Sequence, residues 1–164
     1  MVFVAMDAAD STTLRRYRER RAVPQHRRRD DLEWQPGEHG TARADRHRVY
    51  SRADNADVVY ATVANFGNHH IFRSADGGLN WVDVDRGDLP DAPLLSMALP
   101  AAHPDRVYVC GDAGVFSSDD EGATWTNLTG NLPNVTVVDL VYHEEDRTLT
   151  AATYGRSIWR RPVD

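Results

Sequence analysis

One octapeptide pattern, Ser-x-Asp-x-Gly-x-x-Trp, occurs twice in the sequence, and the second copy starts 44 residues after the first. The two copies consist of Ser74, Asp76, Gly78 and Trp81, and of Ser118, Asp120, Gly122 and Trp125. The three residues before each copy are also similar, Ile-Phe-Arg at 71–73 and Val-Phe-Ser at 115–117. Self-similarity at one period of about 20 to 50 residues is typical of repeat architectures, so a whole supersecondary unit is duplicated.

The chemistry of the octapeptide predicts a tight turn between two strands. The Ser hydroxyl and the Asp carboxylate both accept hydrogen bonds from nearby backbone amides, which otherwise lack partners in a turn. The Gly supplies a positive φ that other residues resist. The Trp follows where the chain is extended again, so its ring can fill the gap between neighbouring sheets. We therefore interpret Asp76 and Asp120 as residues that form turns and not as catalytic acids.

The 44-residue period fits a propeller blade, which has four strands in about 40 to 50 residues. We predict strands in the first unit at 48–51, 58–63, 71–74 and 80–84. The second unit has predicted strands at 94–99, 107–110, 115–118 and 124–127. A third unit has only three, at 137–142, 148–152 and 157–160. The predicted fold class is all-β, a partial β-propeller of about two and a half four-stranded antiparallel blades.

The repeated octapeptide resembles the Asp-box, also called the bacterial neuraminidase repeat. Similar segments surround it, Asp-Val-Val-Tyr-Ala at 57–61, Asp-Arg-Val-Tyr-Val at 105–109 and a closing segment at 153–159, so the resemblance covers residues 49–161. It implies a hairpin between the third and fourth strands of a propeller blade. Sialidases, xyloglucan-cleaving glycosidases, sortilin-type receptors and photosystem assembly factors share the repeat. The resemblance therefore implies a fold and not one function.

The predicted blades are too few for a closed ring, which needs at least about four. In closed rings of the family that this chain resembles, the last blade often takes its fourth strand from the N-terminus. A third unit that stops after three strands therefore predicts the C-terminal piece of a longer propeller, or an arc that self-associates. The expected partners are the missing blades or further copies of the chain, because open blade faces and edges invite pairing.

Residues 1–47 do not fit the repeat and form a first predicted segment, followed by the blades at 48–164. The first segment is irregular and rich in Arg, whereas the remainder is acidic and the whole chain carries a net charge of −6. We expect a solvated, mostly disordered leader with one short helix that begins near Ser11. A nucleic-acid arm and an upstream region read out of frame are the alternatives.

Composition and motifs leave several function classes without support. The acidic charge gives no support to nucleic-acid binding by the repeats. The chain has one cysteine, Cys110, no run of about 20 apolar residues for a membrane span and no signal-peptide core. The acidic stretch at 83–88 lacks the spacing of an EF-hand, so we predict no metal and no cofactor. The family is often exported, but the localisation of this chain is not assigned.

Propeller topology places the ligand mouth on the rim opposite the octapeptide turns. We predict mouth loops at 64–70, 85–93, 111–114, 129–134 and 153–156. Aromatic, amide and imidazole groups on a rigid rim suit a carbohydrate or peptide ligand. The candidate residues are Asn65, Phe66, Asn68, His69, His70, Tyr154 and Arg156.

Two functions remain open. The first is a non-catalytic propeller fragment that serves as a binding or assembly scaffold, which accounts for the repeats. The second is the C-terminal part of a sialidase-like or other Asp-box glycoside hydrolase, in which two carboxylates flank the glycosidic bond. No arginine cluster, Tyr/Glu nucleophile pair or acid Asp of a sialidase can be matched by motif, so the catalytic residues are unknown and the first function is preferred.

Overall fold

The computed structural model describes residues 3–7, 10–17, 46–67 and 69–163, and these residues form strands, turns and loops without a helix. Two strands near the start, β1 (Phe3–Asp7) and β2 (Asp10–Tyr17), pair as an antiparallel hairpin. The helix predicted near Ser11 is therefore wrong, because Ser11 lies in β2. The β-branched Thr12 and Thr13 that follow it favour an extended chain over a helix. The arginine runs at 20–21 and 27–29 lie outside the described residues.

Three further antiparallel sheets follow in chain order, and we call them blades I, II and III. Blade I contains β3 (Arg46–Ser51), β4 (Val59–Ala64), β5 (Ile71–Ser74) and β6 (Val82–Asp83). Blade II contains β7 (Leu94–Ala98), β8 (Val107–Gly111), β9 (Gly114–Ser118) and β10 (Thr126–Asn127). Blade III contains β11 (Val137–His143), β12 (Thr148–Thr153) and β13 (Ile158–Pro162). In each blade, strands that follow one another in sequence are neighbours in the sheet.

This architecture confirms the predicted fold class, an all-β partial β-propeller with two four-stranded blades and one three-stranded blade. The predicted inner and middle strands match the observed ones to within about two residues at each end. The fourth strands, β6 and β10, are shorter than predicted, with two residues each. The backbone amides of Asn80 and Thr124 donate to the Asp side chains of their own turns, so pairing with the neighbouring strand starts only after each Trp.

The two larger layers of the hydrophobic core lie one on each face of blade II, and a smaller cluster lies on the outer face of blade I. Tyr60, Ile71 and Val84 of blade I pack against Val109 and Phe116 of blade II. The opposite face of blade II contributes residues such as Tyr108 and Cys110 to a second layer with blade III. Blade III supplies Val137, Leu140, Leu149, Ala151 and Val163 to that layer. Strand β8 is buried along its whole length, since successive side chains point to the two covered faces.

The two tryptophans of the repeat take equivalent places but have different neighbours. Trp125 packs on the layer between blades I and II, and its indole N–H donates to the carbonyl of Val84 at 2.8 Å. Trp81 packs against Ala61, Val63 and Phe72 and donates within its own turn. Ala61 lies on the opposite face of β4 from Tyr60, so Trp81 faces away from blade II. Each ring thus lies on the face of its blade that is turned away from the next blade in sequence.

Candidate functional site

Contacts between turns define two rims of the blades. The octapeptide turn of blade I lies beside the turn that joins β3 and β4, because Gly77 N donates to Asp57 O at 2.8 Å. The same bond recurs in blade II, from Glu121 N to Asp105 O at 2.7 Å. We call this side the box rim. The opposite side, the mouth rim, carries the loops between β4 and β5, between β8 and β9, and between successive blades.

The first octapeptide forms a turn held by its own side chains. Ser74 Oγ accepts the backbone N–H of Gly78 at 2.8 Å and donates to Asp76 Oδ1 at 2.8 Å. Asp76 Oδ1 accepts the backbone amides of Leu79 and Asn80 at 3.0 and 2.9 Å. The amide and side chain of Asn80, together with the Ser74 hydroxyl, lower the pKa of Asp76 to about 2. The carboxylate is therefore ionised and saturated with donors within its own turn.

The second octapeptide repeats this geometry. Ser118 Oγ accepts the N–H of Gly122 at 2.8 Å, and Asp120 Oδ1 accepts the N–H of Thr124 at 2.8 Å. The hydroxyl and amide of Thr124, with the Ser118 hydroxyl, lower the pKa of Asp120 below its ordinary value. Gly122 has a φ of 96° and lies against Val84 and Trp125, so a side chain there is opposed by both conformation and space.

A cleft of about 480 Å³ opens on the mouth rim between the loop that joins β4 to β5 and the loop that joins blades I and II. It is lined by Gly67, His69, His70, Asp85, Gly87, Leu89 and Asp91. The two loops are tied together, because Gly67 N donates to Asp91 Oδ1 at 2.6 Å and His70 N donates to Asp85 Oδ2 at 3.0 Å. The cleft thus has a floor built from backbone and carboxylate contacts between two loops.

The centre of the cleft is a buried imidazole between two carboxylates. His70 Nδ1 lies 2.7 Å from Asp85 Oδ2, and both side chains are almost completely buried. His70 Nε2 lies 3.3 Å from Asp91 Oδ1, at an angle that makes no hydrogen bond. Asp85 Oδ1 is also buried without a hydrogen-bond partner. Two buried polar atoms with unused hydrogen-bonding capacity therefore lie in the wall of this cleft.

The charges of this cluster stabilise one another. Burial alone would lower the pKa of His70, but the hydrogen bond and charge of Asp85 and the charge of Asp91 outweigh it, and the pKa is raised. Burial would raise the pKa of Asp85, but the imidazole and backbone N–H of His70 outweigh it, and that pKa is lowered. The protonated imidazole offers an N–H donor at Nε2, and Asp91 offers an acceptor that is 63% exposed.

The candidate rim residues fall into two separate groups. Phe66 is 64% exposed in the loop that forms the cleft, and Asn65 lies beside it with a buried side-chain oxygen. His69 and His70 line the cleft but bind different aspartates, since His69 Nδ1 lies 2.7 Å from Asp83 Oδ2. Asn68 lies outside the described residues.

The other two candidates, Tyr154 and Arg156, lie in the loop between β12 and β13 and do not line the cleft. Tyr154 is 79% exposed, and its backbone N–H donates to Thr136 O at 2.9 Å. The carbonyl of Arg156 accepts the indole N–H of Trp159 at 2.8 Å. The structure therefore brings together only the candidates of the longer loop.

Sequence reasoning missed Asp85 and Asp91 as members of the cluster. The sequence predicts that the loop at 85–93 faces the mouth, but it offers Asp85 only as part of a rejected calcium loop at 83–88 and gives Asp91 no role. Asp85 directly follows the fourth strand predicted at 80–84, and this position at a strand end is the one available signal. Asp91 carries no such signal, because its partner His70 is 21 residues away.

No three His, Cys, Asp or Glu side chains of the described residues are arranged to hold a metal ion. Within the same ranges there is no apolar helix that could span a membrane. Cys110 is fully buried, and burial raises the pKa of its thiol.

No protein-family model and no curated protein matches the chain. Among solved structures, a GH74 enzyme from Niastella koreensis is similar at 17% identity with a TM-score of 0.54, covering 65% of this chain and 17% of that chain. The GH74 xyloglucanase from Xanthomonas campestris is similar at 16% identity with a TM-score of 0.56, covering 71% of this chain and 21% of that chain. An ancestral GH74 enzyme is similar at 19% identity with a TM-score of 0.52, covering 64% of this chain and 16% of that chain. The chain thus spans about a fifth of these structures or less, and the likeness shows the fold alone.

Proposed function

We propose that this chain is a non-catalytic Asp-box propeller fragment that serves as a binding or assembly scaffold, and that the mouth-rim cleft takes a carbohydrate or peptide ligand. The observation that carries the proposal is the cleft itself, in which His70 Nε2 and Asp85 Oδ1 are buried without hydrogen-bond partners. Buried polar atoms without partners are uncommon in folded proteins, and a bound ligand is one way to satisfy them.

The lining chemistry supports a ligand with several hydrogen-bonding groups. The imidazolium of His70 is a donor, and the carboxylate of Asp91 is an acceptor that remains open to solvent. Phe66 supplies an exposed aromatic ring in the same loop as Gly67. Aromatic surface beside convergent polar groups is the usual composition of a small-molecule site.

The Asp-box assignment and the division of the chain belong to the same proposal. Both octapeptides have their Ser and Asp side chains turned onto the amides of their own hairpins, as expected for Asp-boxes. We propose the boundary between the N-terminal segment and the blades at residues 47 and 48, two residues after the start of β3 at Arg46. The partners would be the missing blades or further copies of this chain.

The test is a binding screen of the full chain against glycan and peptide arrays, followed by titration of the best ligand. Phe66→Ala should weaken that ligand by at least about tenfold, if the ring contacts it as an anchor residue. Leu79→Ala is the matched control, because Leu79 is 60% exposed but lies in the octapeptide turn on the box rim. Equal affinity of wild-type and Phe66→Ala protein for every ligand found would contradict the assignment of the cleft.

The alternative function is the C-terminal part of a sialidase-like or other Asp-box glycoside hydrolase. What favours it is that three of the solved structures with a similar fold are GH74 enzymes, one of them a xyloglucanase. Such an enzyme needs two carboxylates about 5 to 9 Å apart across the bond that is cleaved. Hydrolysis of aryl-glycosides or xyloglucan by this chain alone, abolished by Asp91→Asn, would favour this alternative over the scaffold.

A further inference from the structure

Blade II shows what the place of the mouth-rim cleft is like without the cleft. Thr129 stands in blade II where Asp85 stands in blade I, 44 residues earlier. Its hydroxyl is satisfied by one neighbour, because Thr129 Oγ1 accepts the N–H of Val115 at 3.1 Å and donates to the carbonyl of Val115 at 3.3 Å. The loop between β8 and β9 consists of residues 112–113, whereas the loop between β4 and β5 runs over residues 65–70. The cleft is therefore a departure from the repeat and not a consequence of blade geometry.

The imidazole of the cleft is a second departure from the repeat. Gly114 stands in blade II where His70 stands in blade I, and a side chain at Gly114 would collide with Thr129. Blade I thus has a histidine and a carboxylate, only 3% and 5% exposed, in place of a glycine and a hydroxyl. Nδ1 of His70 faces Asp85 Oδ2, which leaves His70 Nε2 and Asp85 Oδ1 without a hydrogen-bond partner among the described residues. Most buried polar atoms are paired, so two unpaired atoms in one cleft indicate a ligand.

The charges of the cleft restrict the class of that ligand. Asp85 and Asp91 both face the imidazole of His70, so two carboxylates share one positive charge. His69 and Asp83 form a separate pair at 2.7 Å. Even with His70 protonated, the group of three side chains keeps one negative charge in excess. A ligand anion is therefore repelled, whereas a cation is attracted.

The hydrogen-bonding capacity of the cleft favours the same class. A carboxylate only accepts, and besides Asp85 Oδ1 the carboxylate of Asp91 is 63% exposed and can accept from a ligand. A guanidinium offers five N–H donors in one plane, so it can bind two carboxylates at once, whereas a hydroxyl offers one donor and no charge. Arg86 of the same loop is exposed and does not line the cleft. The excess negative charge is therefore left for an external cation.

We propose that the mouth-rim cleft binds the guanidinium of an arginine side chain in a peptide partner, held by the carboxylates of Asp85 and Asp91. This inference rests on the proposed function, because it uses the same cleft, and it selects a basic peptide over a carbohydrate. The guanidinium supplies the donor that Asp85 Oδ1 lacks and pairs with the exposed side of Asp91. Asp91 Oδ1 keeps the hydrogen bond from Gly67 N, so the two loops stay tied together.

The proton of His70 and the guanidinium compete for the same two carboxylates. Burial lowers the pKa of His70, but the hydrogen bond and charge of Asp85 and the charge of Asp91 outweigh it and raise the pKa. When His70 loses its proton, its charge no longer opposes the ligand and Nε2 becomes an acceptor. His69, paired with Asp83, is the other titratable group beside the imidazole. Binding should therefore strengthen several-fold as the pH rises through the pKa of His70.

The probe is the peptide acetyl-Gly-Gly-Arg-Gly-Gly-amide, titrated into the isotope-labelled full chain. Binding is followed by the NMR amide signals of Gly67 and Gly87, which line the cleft. The same peptide with citrulline in place of arginine has nearly the same shape and no charge. We expect saturable shifts with the arginine peptide and at least about tenfold weaker binding of the citrulline peptide, since hydrogen bonds between charged groups are about twice as strong as neutral ones.

Two variants locate the site. Asp91→Asn removes the charge but keeps an oxygen that can accept the Gly67 N–H, so it should weaken binding of the arginine peptide by at least about tenfold. Asp88→Asn is the matched control, because Asp88 lies in the same loop, is exposed and does not line the cleft. This variant should bind the arginine peptide as the wild type does.

Three results would overturn the inference: no saturable binding of the arginine peptide, equal binding of the citrulline peptide, or equal binding by Asp91→Asn protein. Binding that strengthens on acidification would overturn it as well, because the proton would then help the ligand. If a glycan bound and Phe66→Ala weakened it while the arginine peptide did not bind, the inference would fail and the proposed ligand site would stand. Absence of every ligand from both experiments would remove the proposed site too.

Discussion

At residue 70 an imidazole is almost completely buried, and Asp85 and Asp91 are its charged neighbours. Burial opposes protonation, but these carboxylates outweigh it and raise the pKa of His70 above 6.5. The folded protein therefore binds this proton more tightly than the unfolded chain. The stability that His70 contributes is complete below pH 6.5 and is lost as the pH rises through the folded-state pKa.

The measurement is the free energy of unfolding of wild-type and His70→Asn protein in urea, between about pH 5.5 and about pH 8.5. The advantage of the wild type should be about 1 to 3 kcal/mol at the acidic end, since the variant leaves a buried carboxylate without its charged partner. It should decrease towards the alkaline end. His103→Asn, an exposed histidine near the box rim, is the control. If the difference in free energy of unfolding between wild type and His70→Asn grew with pH, the protonated imidazole would destabilise the fold and the prediction would be wrong.

The same residues show where sequence reasoning works and where it stops. The turn bonds of Ser74 and Asp76 join groups within four residues of each other, so the octapeptide alone was enough to predict them. The bond between His70 and Asp85 joins two loops 15 residues apart. This bond depends on the packing of the turn after β6 against the loop before β5, and no local sequence pattern predicts that packing.

At the scale of the element, the structure separates two hairpins that are alike in sequence. The turn of the second octapeptide is tied to blade I, because Glu121 accepts from Arg52 at 2.7 Å and from Arg73 at 2.6 Å, and its carbonyl accepts from Tyr60 at 3.2 Å. The first octapeptide has no counterpart to these bonds among the described residues. The sequence predicts both hairpins, but the residues that surround each hairpin depend on its place in the order of the blades.

We therefore expect the two tryptophans to differ in what they stabilise. Trp125→Ala should lower the free energy of unfolding by about 3 to 5 kcal/mol, because the ring packs between two blades and its N–H binds the Val84 carbonyl. Trp81→Ala should cost less, because its ring packs within blade I. Trp125→Phe, which keeps most of the packing, should cost about 1 kcal/mol. Denaturation followed by circular dichroism would compare the three, and equal losses for both alanine variants would refute the distinction.

At the scale of the whole molecule, stability is distributed unevenly across the blades. Blade II is packed on both faces, and every residue of β8 is buried. Strand β13 is exposed over four of its five residues, with Ile158 at 70%. Blades I and III each share a hydrophobic layer with blade II, whereas they meet one another through an exposed ion pair between Arg48 and Asp139, so the loss of one layer should leave the other in place. The 44-residue period predicts the blade repeat, but it does not predict this difference in burial between blade II and blade III.

Hydrogen exchange measured by mass spectrometry would test that gradient. The amides of β8 should exchange slowest and those of β13 fastest, since protection follows burial and the number of covered faces. Trp125→Ala removes the ring between blades I and II, so it should speed exchange in β4 and β5 more than in β12, whose neighbours lie across the other layer. Leu140→Ala, in the layer between blades II and III, is the matched change and should produce the reverse order. If either variant accelerated exchange equally in β4 and β12, the three blades would unfold as one unit and the two layers would not act as separate interfaces.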